Sequence, residues 1–495
     1  MAIFLDSLKK KGFKQINDFR IIRKSLDARK KSRIIWNVKL EIDSPEIDYK
    51  RESDKALDIQ YKKRDKHILI VGSGPGGIFS GLVLLKAGFK VTLLERGSRV
   101  EDRDIDIDDL VNNGVFKPDS NFAFGEGGAG TYSDGKLTSR NKHISKEKEF
   151  ILTTFIKHGA PEEIYSLVHP HVGSDNLKVV CKNMRDEFLD LGGDILFNTN
   201  FTSFNDNGGV IKSIETSSGV IDCDFLLLAT GHSALPTYKE LIKKGVIFNT
   251  KNFALGFRAE HPQAVINNAQ WGVDSLKGLK AAEYRLTSQT DTAPVFSFCM
   301  CPGGTVVPAA AMANTSVVNG MSNYQRDGEY ANAAVVAGFN FSKEHGREVS
   351  PLEALEMLQK LEERYYSVTG GFKVPGMKIT DFTGGTKPGV IGSTSYPLGI
   401  EPFNLAELLP TSVVEPLKQG LIDFSNKLKG YESGIILGLE SKTSSPIQVE
   451  RNREGLCSGF ENLYFVGEGS GWAGGIVSSA ADGIKGALDI IKRSI

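Results

Sequence analysis

Three glycines, Gly72, Gly74 and Gly77, lie where a short apolar run gives way to a helical pattern, and their spacing points to nucleotide chemistry. A second apolar run follows the helix and ends on Glu95. The first glycine permits a tight strand-to-helix turn, the second lets a pyrophosphate approach the backbone, and the third lets helix and strand pack closely. Unpaired amides at the start of the helix suit a diphosphate, and the Glu95 carboxylate can accept hydrogen bonds from a ribose diol. The predicted dinucleotide site comprises Gly72, Gly74, Gly76, Gly77, Glu95 and Arg96.

Two further segments satisfy the same glycine spacing, residues 125–130 (G-E-G-G-A-G) and residues 469–474 (G-S-G-W-A-G). The first is followed by T-Y-S-D-G-K instead of an amphipathic helix, so we interpret it as a loop whose amides wrap a flat or phosphorylated ligand, with a mobile surface loop as the alternative. The second has too few residues after it for another strand and ribose-binding acid. We interpret it as the closing unit of the first nucleotide-binding domain. The loop candidates are Gly127, Gly128, Gly130 and Thr131.

Cys299 and Cys301 flank Met300 and precede a Pro-Gly-Gly turn. In a strand, positions i and i+2 face the same side, so both sulfurs can meet one ligand. The usual redox spacing is C-x-x-C or C-x₄-C, and a disulfide closed over so short a loop would be strained. A redox pair, a single functional thiol and two buried structural cysteines therefore all remain open. No metal site is predicted, because there is no second cysteine cluster.

Three segments together resemble flavoproteins of the glutathione-reductase-like, two-part FAD fold. They are the N-terminal fingerprint, a central L-L-L-A-T-G that ends at Gly231, and a C-terminal L-Y-F-V-G-E…G-G-I-V-S-S-A-A-D-G. In that superfamily the last segment lays a helix N-terminus against the middle of the cofactor and its isoalloxazine ring. The superfamily usually has Asp where this chain has Glu468, whose longer carboxylate can reach a ribityl hydroxyl. The matching positions are Gly467, Glu468, Gly475 and Ile476.

Five longer strings narrow the resemblance to the uncharacterised FAD-dependent (FAD-utilising) dehydrogenases. The similarity runs from about residue 20 to the end of the chain. It implies a bound FAD, a Rossmann-like domain interrupted by a substrate domain, and a small N-terminal domain, and it implies no particular substrate. The strings are F-G-E-G-G-A-G-T-Y-S-D-G-K-L (124–137), F-R-A-E-H-P-Q (257–263), F-C-M-C-P-G-G (298–304), V-N-G-M-S-N (318–323) and G-W-A-G-G-I-V-S (471–478).

Charged candidates for chemistry beside a flavin follow from these strings. His261 is a candidate to deliver or remove a proton, and Arg258 is a candidate to hold a substrate carboxylate. A salt-bridged structural corner is the alternative for Arg258 and Glu260. Lys136 and Asp134, in the glycine-rich loop, are candidates to face the N1–C2 edge of the flavin, where a cation stabilises the reduced ring.

The length and the motifs predict an α/β protein of more than one domain. The expected architecture is a Rossmann-like FAD/NAD(P)-binding three-layer domain with an inserted mixed α+β substrate domain and a small N-terminal α/β module. The FAD-binding domain is expected to be discontinuous, residues 65–250 and 455–495, around an inserted substrate or cap domain, residues 251–454. The N-terminal module is expected over residues 1–64.

Local patterns predict the individual elements. In the N-terminal module, residues 19–32 suit a basic amphipathic helix and residues 33–42 suit a strand, followed by a charged linker at 54–66. Residues 101–120 are acidic and polar, which favours a loop or an irregular helix. The other predicted elements are helices at 149–158, 180–191 and 352–366, strands at 194–197, 209–214 and 224–231, and a C-terminal strand, glycine turn and helix over 462–495.

Bulk composition favours a small-molecule partner. Sixty basic residues balance sixty acidic ones, so charge favours neither nucleic acid nor an anionic membrane. Five cysteines fit a reducing compartment, and no apolar run approaches the roughly 20 residues that a membrane helix needs. The start of the chain does not read as a signal peptide. We therefore expect a cytoplasmic protein, with nucleic acid an unlikely partner and the oligomeric state open.

The expected function is that of an FAD-dependent oxidoreductase that passes hydride between flavin N5 and a small-molecule substrate or a nicotinamide. No second nucleotide unit is recognisable between residues 250 and 450, so NAD(P)H is a candidate only as a diffusible electron donor. Arg96 is expected to lie over the adenine or to pair with the pyrophosphate. Two alternatives stay open: a thiol–disulfide or persulfide reductase that uses Cys299 and Cys301, and a flavin-bound adaptor whose basic N-terminal module binds RNA or a partner.

Overall fold

The computed structural model describes residues 8, 10, 12–46, 57–139, 141 and 143–494. In chain order its strands are β1 Asp18–Asp27, β2 Ile35–Asp43, β3 His67–Val71, β4 Lys90–Leu94, β5 Asp194–Leu196, β6 Phe201–Asn207, β7 Val210–Thr216, β8 Gly219–Asp222, β9 Phe225–Leu228, β10 Phe248–Thr250, β11 Phe253–Pro262, β12 Thr287–Gln289, β13 Pro294–Cys301, β14 Thr305–Pro308, β15 Val318–Met321, β16 Tyr330–Phe339, β17 Val374–Lys378, β18 Ile400–Pro402, β19 Ile435–Glu440, β20 Ile447–Val449 and β21 Leu463–Phe465. Its α-helices are α1 Pro75–Lys86, α2 Val100–Asn113, α3 Ser145–Lys157, α4 Ser174–Asp190, α5 Leu235–Lys243, α6 Gln263–Trp271, α7 Phe341–His345, α8 Pro351–Thr369, α9 Ile379–Gly384, α10 Thr411–Lys427 and α11 Ile476–Arg493.

A five-stranded parallel sheet, in the order β21-β9-β3-β4-β5, organises the half of the molecule in which the sequence predicts a nucleotide site, here called the nucleotide-binding half. Its strands are short and apolar, as expected for a parallel sheet with both faces covered. The C-terminal strand β21 pairs with β9, so the two ends of the chain contribute to one sheet. Helices α1 and α11 pack tightly, because a Cβ on Gly483 would lie only 2.1 Å from the Gly76 carbonyl oxygen.

Two glycines fix the turn that joins β3 to α1. Gly72 adopts φ +103°, in the left-handed region that favours glycine. A Cβ on Gly77 would lie 1.8 Å from the Gly72 carbonyl oxygen, so only glycine allows the helix to begin this close to the strand. The packing role predicted for Gly77 is thereby confirmed.

A seven-stranded sheet, in the order β12-β13-β16-β11-β19-β17-β18, organises the inserted half. Its pairs are antiparallel except β17–β18. Because side chains alternate across a strand, one face of β11 carries Phe257 into a core with Leu417 and Leu421 of α10. The opposite face carries Arg258 and, two strands away on β13, Phe296 and Phe298. This second face is turned toward the nucleotide-binding half.

The helix predicted over residues 19–32 is wrong. Residues 18–27 form strand β1, paired antiparallel with β2 from Asp18↔Asp43 to Asp27↔Ile35. Apolar residues at 19, 22 and 26 fit a helical spacing, but those at 19 and 21 fit a strand as well, and pairing with β2 decides between them. The adaptor hypothesis loses its basic helix. The strand predicted at 33–42 is confirmed as β2.

The second correction concerns residues 101–120, for which a loop or an irregular helix was predicted: residues 100–113 form the regular helix α2. Its buried face includes Val100, Ile107 and Leu110, and Gly114 ends it in the left-handed conformation. Acidic residues between these positions obscured the helical period in the sequence. The remaining predicted helices and strands are confirmed, with boundaries shifted by a few residues. None of the helices in the described part of the chain combines the length and apolar character needed to cross a bilayer.

Candidate functional site

A cavity of about 1490 Å³ lies between the two large sheets. Its nucleotide-side wall consists of the turns that follow β3, β9 and β21, because the carboxyl ends of parallel strands meet at one edge of a sheet. Its opposite wall consists of β13 and the segment before β12. The N-terminal ends of α1 and α11 point at the same space, with Gly74 and Gly475 as their N-caps.

Four glycines form a cradle on the nucleotide side: Gly74, Gly76, Gly128 and Gly467. A Cβ on Gly76 would lie 3.5 Å from the Gly467 Cα, and a Cβ on Gly128 would lie 3.3 Å from the Gly74 Cα. The three glycine-rich segments of the sequence therefore meet in space. Backbone amides exposed by these glycines at the start of α1 suit the diphosphate of a dinucleotide such as FAD.

The cavity receives most of the residues predicted from the sequence, and it excludes some of them. The predicted residues that line it are Gly72, Gly74, Gly76, Glu95, Arg96, Gly128, Gly130, Lys136, Gly231, Cys299, Gly467, Glu468, Gly475 and Ile476. The predicted residues that lie outside its lining are Gly77, Gly127, Thr131, Arg258, His261 and Cys301.

Gly127 and Thr131 brace the glycine-rich loop from behind. Gly127 has φ +77°, and a Cβ there would lie 2.1 Å from the Thr131 Oγ1 and 2.5 Å from the Cys181 Sγ. The Thr131 hydroxyl donates to the Glu126 carbonyl oxygen at 3.2 Å. These two residues therefore shape the loop, while Gly128 and Gly130 present its backbone to the cavity.

Glu95 is buried and its carboxylate already accepts four hydrogen bonds. One oxygen accepts from the backbone N–H groups of Gly97 (3.0 Å) and Gly125 (3.1 Å), and the other accepts from the Ser73 N–H (2.9 Å) and hydroxyl (2.6 Å). A carboxylate offers about four acceptor sites. Glu95 therefore ties the first glycine turn to the glycine-rich loop, a role the sequence did not predict, and a ribose diol would have to displace one of these donors.

Arg96 lies beside Glu95 at the cavity wall. Its guanidinium pairs with Asp119 at 2.7 Å and lies over the Phe124 ring, 4.2 Å from the centroid. These contacts hold a planar cation flat against the end of the cavity. Pairing with the pyrophosphate or stacking over the adenine stays a prediction.

Arg258 is fully buried within the second sheet and does not reach the cavity as predicted. Its guanidinium pairs with Glu440 at 2.7 Å and donates to Asn332 (2.8 Å) and to the Cys299 carbonyl oxygen (2.7 Å). The structural alternative is therefore the right one, although the acid is Glu440. The predicted corner partner, Glu260, instead accepts hydrogen bonds from Ser395. Arg258 positions the Cys299 segment from behind.

His261 is also fully buried, on the same strand and away from the cavity. Its Nε2 lies 2.7 Å from the Tyr431 carbonyl oxygen and therefore donates to it, and its ring centroid lies 4.5 Å from that of Tyr431. Burial lowers the pKa of His261 to about 4. The predicted proton transfer beside a flavin is contradicted by this position, and the imidazole is a structural group.

Replacing His261 with glutamine should make folding less sensitive to acid. His261 stays neutral in the folded protein down to about pH 4, whereas in the unfolded chain it takes up a proton near pH 6.5. The unfolded state therefore binds more protons between these values, and wild-type stability falls by roughly 3 kcal/mol through this group as pH drops from 6.5 to 4. Urea unfolding should be measured for both proteins at pH 7.5 and pH 4.5. The difference in the free energy of unfolding between wild type and His261→Gln should be smaller at the lower pH.

An exposed histidine provides the control for this experiment. His345→Gln should leave both the stability and its pH dependence unchanged, since residue 345 is solvent-exposed. A His261→Gln protein that kept its flavin and its stability but lost flavin reduction would contradict the structural assignment.

Cys299 and Cys301 do not share one face of β13 as predicted. The register shifts between Phe298 and Cys301, and Cys299 adopts φ +45°, so a bulge interrupts the strand alternation between the two cysteines. Cys299 lines the cavity, while Cys301 is fully buried and donates its thiol to the Cys299 carbonyl oxygen at 3.3 Å. Cys299 is therefore the cavity-facing thiol, and the buried Cys301 thiol lies behind it within hydrogen-bonding distance.

Iodoacetamide at pH 7 should modify Cys299 at least roughly tenfold faster than the other four cysteines. Hydrogen bonding with Cys301, with the charges of Lys136 and Arg258, lowers the pKa of Cys299. Burial raises the pKa of Cys181 to about 11 and those of Cys223 and Cys457 to about 12, and hydrogen bonding with Cys299 raises the pKa of Cys301. Mass spectrometry of timed digests measures the order of labelling. First modification at Cys181 or Cys223 would contradict it.

Lys136 lines the cavity where the glycine-rich loop meets the second sheet. Its ammonium pairs with Asp134 at 2.9 Å and donates to the Met300 carbonyl oxygen. Asp134 also accepts from Arg326 at 2.9 Å. Although burial alone would raise it, the charges of Lys136 and Arg326 hold the pKa of Asp134 well below its ordinary value. This buried network ties the two halves of the molecule together and fixes a cation at the cavity wall.

His232 is a cavity residue that sequence reasoning missed. Its Nδ1 lies 3.7 Å from the Glu468 Oε1, and its Nε2 is buried without a hydrogen-bond partner among the described residues. Burial lowers the pKa of His232 to about 3 and raises the pKa of Glu468 to about 7. A neutral imidazole with an open nitrogen is thus available to a cavity ligand. Its place directly after the A-T-G turn, at the carboxyl end of β9, was the signal.

Comparison with known proteins finds two matching families and one similar full-length protein. Residues 252–443 match the family described as FAD-dependent protein, C-terminal domain-like, and residues 8–43 match a domain of unknown function. An uncharacterized protein of Clostridium beijerinckii is 39% identical over 517 residues, covering 99% of this chain and 96% of that protein.

Two solved structures show a distant likeness. CtdE in complex with FAD is 9% identical with a TM-score of 0.35, covering 87% of this chain and 89% of that chain. Tetracycline destructase Tet(51) is 11% identical with a TM-score of 0.40, covering 87% of this chain and 83% of that chain. Likeness at this level assigns neither a substrate nor a reaction to this chain.

Residues 252–443, which include most of the second sheet, match the C-terminal domain of a class described as FAD-dependent proteins. Within that class, the chain belongs to the same family as the Clostridium beijerinckii protein.

Proposed function

We propose that the protein is an FAD-dependent oxidoreductase that passes hydride between flavin N5 and a small molecule held in the cavity. The observation that supports this most is the meeting of the N-terminal, loop and C-terminal glycine segments around one cradle, where a Cβ on Gly76 would lie 3.5 Å from the Gly467 Cα. An extended dinucleotide needs several such approaches at once, and chance glycine loops would not converge.

The size of the cavity supports a second ligand beside the cofactor. Drug-sized ligands occupy pockets of roughly 300–1,000 Å³. At about 1490 Å³ the cavity is larger, and its lining changes along its length. Backbone and glycines dominate at the nucleotide side, while side chains of β13 and the preceding segment dominate at the other. The inserted half therefore serves as the substrate domain in this proposal.

When bound, FAD would supply a hydride acceptor at N5. The residues of this chain would bind and orient: the α1 amides hold the diphosphate, and His232 with Glu468 holds hydroxyls of the sugar chain. Lys136 would place a cation beside the flavin ring, where it stabilises the negative charge of the reduced state. The glutathione-reductase-like arrangement of the cofactor, with α11 directed at the ring, belongs to the same proposal.

Anaerobic reduction tests the proposal. The purified full-length protein should be yellow, and its denatured supernatant should contain FAD. NADH, NADPH and a panel of small metabolites are added separately without oxygen, and bleaching of the flavin absorbance identifies the electron donor. A colourless protein that takes up no added FAD would overturn the proposal, as would a flavin that none of the donors reduces and that no candidate oxidant reoxidises after photoreduction.

A thiol-dependent reductase is the second candidate, because Cys299 faces the cavity and has a lowered pKa. Cys299→Ser would then abolish one half-reaction of the flavin, whereas Cys301→Ser would slow it by removing the hydrogen bond that lowers the pKa of Cys299. Unchanged reduction and reoxidation in Cys299→Ser would remove this candidate and leave hydride transfer to a carbon substrate or nicotinamide.

A further inference from the structure

The hairpin of β12 and β13 forms an edge of the second sheet and part of the cavity wall. Its register pairs Thr287 with Phe296 and Gln289 with Pro294. The Ser297 N–H donates to the Leu286 carbonyl oxygen at 2.9 Å, which continues that register by one residue. Alternation then places every second residue on one face. The cavity-lining residues of this recognition face are Arg285, Thr287, Gln289, Pro294, Phe296 and Phe298.

Two phenylalanine rings supply the apolar part of the recognition face. Phe298 is 45% exposed, although it stands inside a cavity and not on the outer surface. Phe296, two residues before it, is half-buried on the same side. A small planar ligand lying against both rings would remove this apolar area from water, and aromatic ligands gain further from offset or edge contacts.

Arg285 supplies the charge. The continued register puts it opposite Phe298, and directly opposed residues have Cβ atoms roughly 4.5–5.5 Å apart. It is exposed, and within the described part of the chain its guanidinium makes neither a hydrogen bond nor an ion pair. A planar guanidinium next to an apolar ring suits a carboxylate attached to an apolar body.

The acidic side chains near Arg285 are already paired with other cations. Asp134 is occupied by Lys136 and Arg326. Glu283 is occupied by His169 at 2.7 Å and by Arg326 at 3.4 Å. This end of the cavity therefore carries a surplus positive charge located at the aromatic rings, and an incoming anion would meet it there.

We propose that the recognition face binds the substrate, and that the substrate is a small aromatic carboxylic acid. Phe296 and Phe298 cover its ring, and Arg285 pairs with its carboxylate. This inference rests on the proposed oxidoreductase function, whose second ligand it specifies.

Titration of the full-length protein with benzoate and with its neutral analogue benzamide tests the inference. Binding is read both from perturbation of the flavin absorbance and from the shift in thermal midpoint, the latter of which does not require flavin. Benzoate should bind more tightly than benzamide. Arg285→Gln should weaken benzoate roughly 10- to 100-fold, the value of a hydrogen-bonded charge pair, and should leave benzamide unchanged. Phe298→Ala should weaken both ligands.

Arg453→Gln is the matched control, since Arg453 is exposed and lies outside the cavity lining. It should change neither affinity. Equal binding of benzoate and benzamide, or an unchanged benzoate affinity in Arg285→Gln, would overturn the inference while leaving a reducible flavin, and hence the proposed function, intact. A flavin-free protein whose thermal midpoint still rises with benzoate, in a way that depends on Arg285, would support the inference about the ligand and contradict the proposed oxidoreductase function.

Discussion

A Gly74→Val protein should fold normally and purify without FAD. Gly74 has φ −63° and ψ 179°, an extended conformation that valine adopts readily. A Cβ there would meet only the Gly128 Cα, at the ordinary contact distance of 3.9 Å. The γ-methyl groups would nevertheless occupy the space in front of the α1 amides. Loss of two hydrogen bonds to a charged diphosphate should weaken FAD binding at least roughly 100-fold.

Flavin content and the thermal midpoint of the flavin-free protein are the measurements. Flavin-free wild type is the correct reference, because bound FAD itself raises the midpoint. Gly77→Ala should behave differently and lose stability, since its Cβ would lie 1.8 Å from the Gly72 carbonyl oxygen. Gly371→Ala, where a Cβ would meet nothing within 4 Å, should be neutral in both measurements. Full flavin occupancy in Gly74→Val would show that the cradle does not hold a diphosphate.

The first glycine turn could be predicted from the sequence because all of its parts are local. A strand, a glycine turn and a helix lie within one short segment, and the function of Gly72 and Gly77 follows from backbone geometry alone. The helix misassigned at residues 19–32 shows the opposite situation. Its apolar spacing fits two periods equally well, and the choice is made by a partner strand at residues 35–43.

The reactive side chains were harder to predict because their partners are distant in sequence. Glu440, which neutralises Arg258, lies 182 residues further along the chain. The sequence around His261 contains no signal that Tyr431, 170 residues further along the chain, packs against it. The bulge at Cys299 breaks the alternation on which the prediction of two co-facial thiols depended. His232 was not predicted because the preceding A-T-G turn was interpreted through the backbone conformation of Gly231 alone.

The second sheet explains why buried structural residues of β11 were predicted to be site residues. Its residues at Phe257 and Ala259 enter a conventional apolar core, so the intervening Arg258 and Glu260 looked like site residues in the sequence. The face on which they lie is partly buried under β14, β15 and their neighbours, and it contributes Phe296, Phe298 and Glu440 to the cavity lining. Charged groups deep in that face brace it, while Cys299, Phe298 and Arg285 at its edge contact the cavity.

Loss of the Arg258 guanidinium should be the most destabilising single change considered for this chain. Arg258→Met would leave Glu440 buried without its cation, and breaking a buried pair in this way costs about 3–5 kcal/mol. Burial already raises the pKa of Glu440 to about 7, against the influence of Arg258. A carboxyl with a raised pKa favours the folded state in its protonated form. The destabilisation should therefore be larger at pH 8 than at pH 6, as measured by urea unfolding.

A double variant and an exposed pair distinguish this explanation from a catalytic one. Arg258→Met combined with Glu440→Gln removes the uncompensated charge, so it should recover much of the stability lost at pH 8. Arg347→Met, which breaks an exposed pair with Glu353, should cost little stability because solvent screens that pair. Because the charge of Arg258 also helps to lower the pKa of Cys299, the folded single variant should react more slowly with iodoacetamide at Cys299. The outcome that would contradict this explanation is an Arg258→Met protein that has wild-type stability at both pH values and is defective only in binding carboxylates. Arg258 would then be a substrate-binding residue.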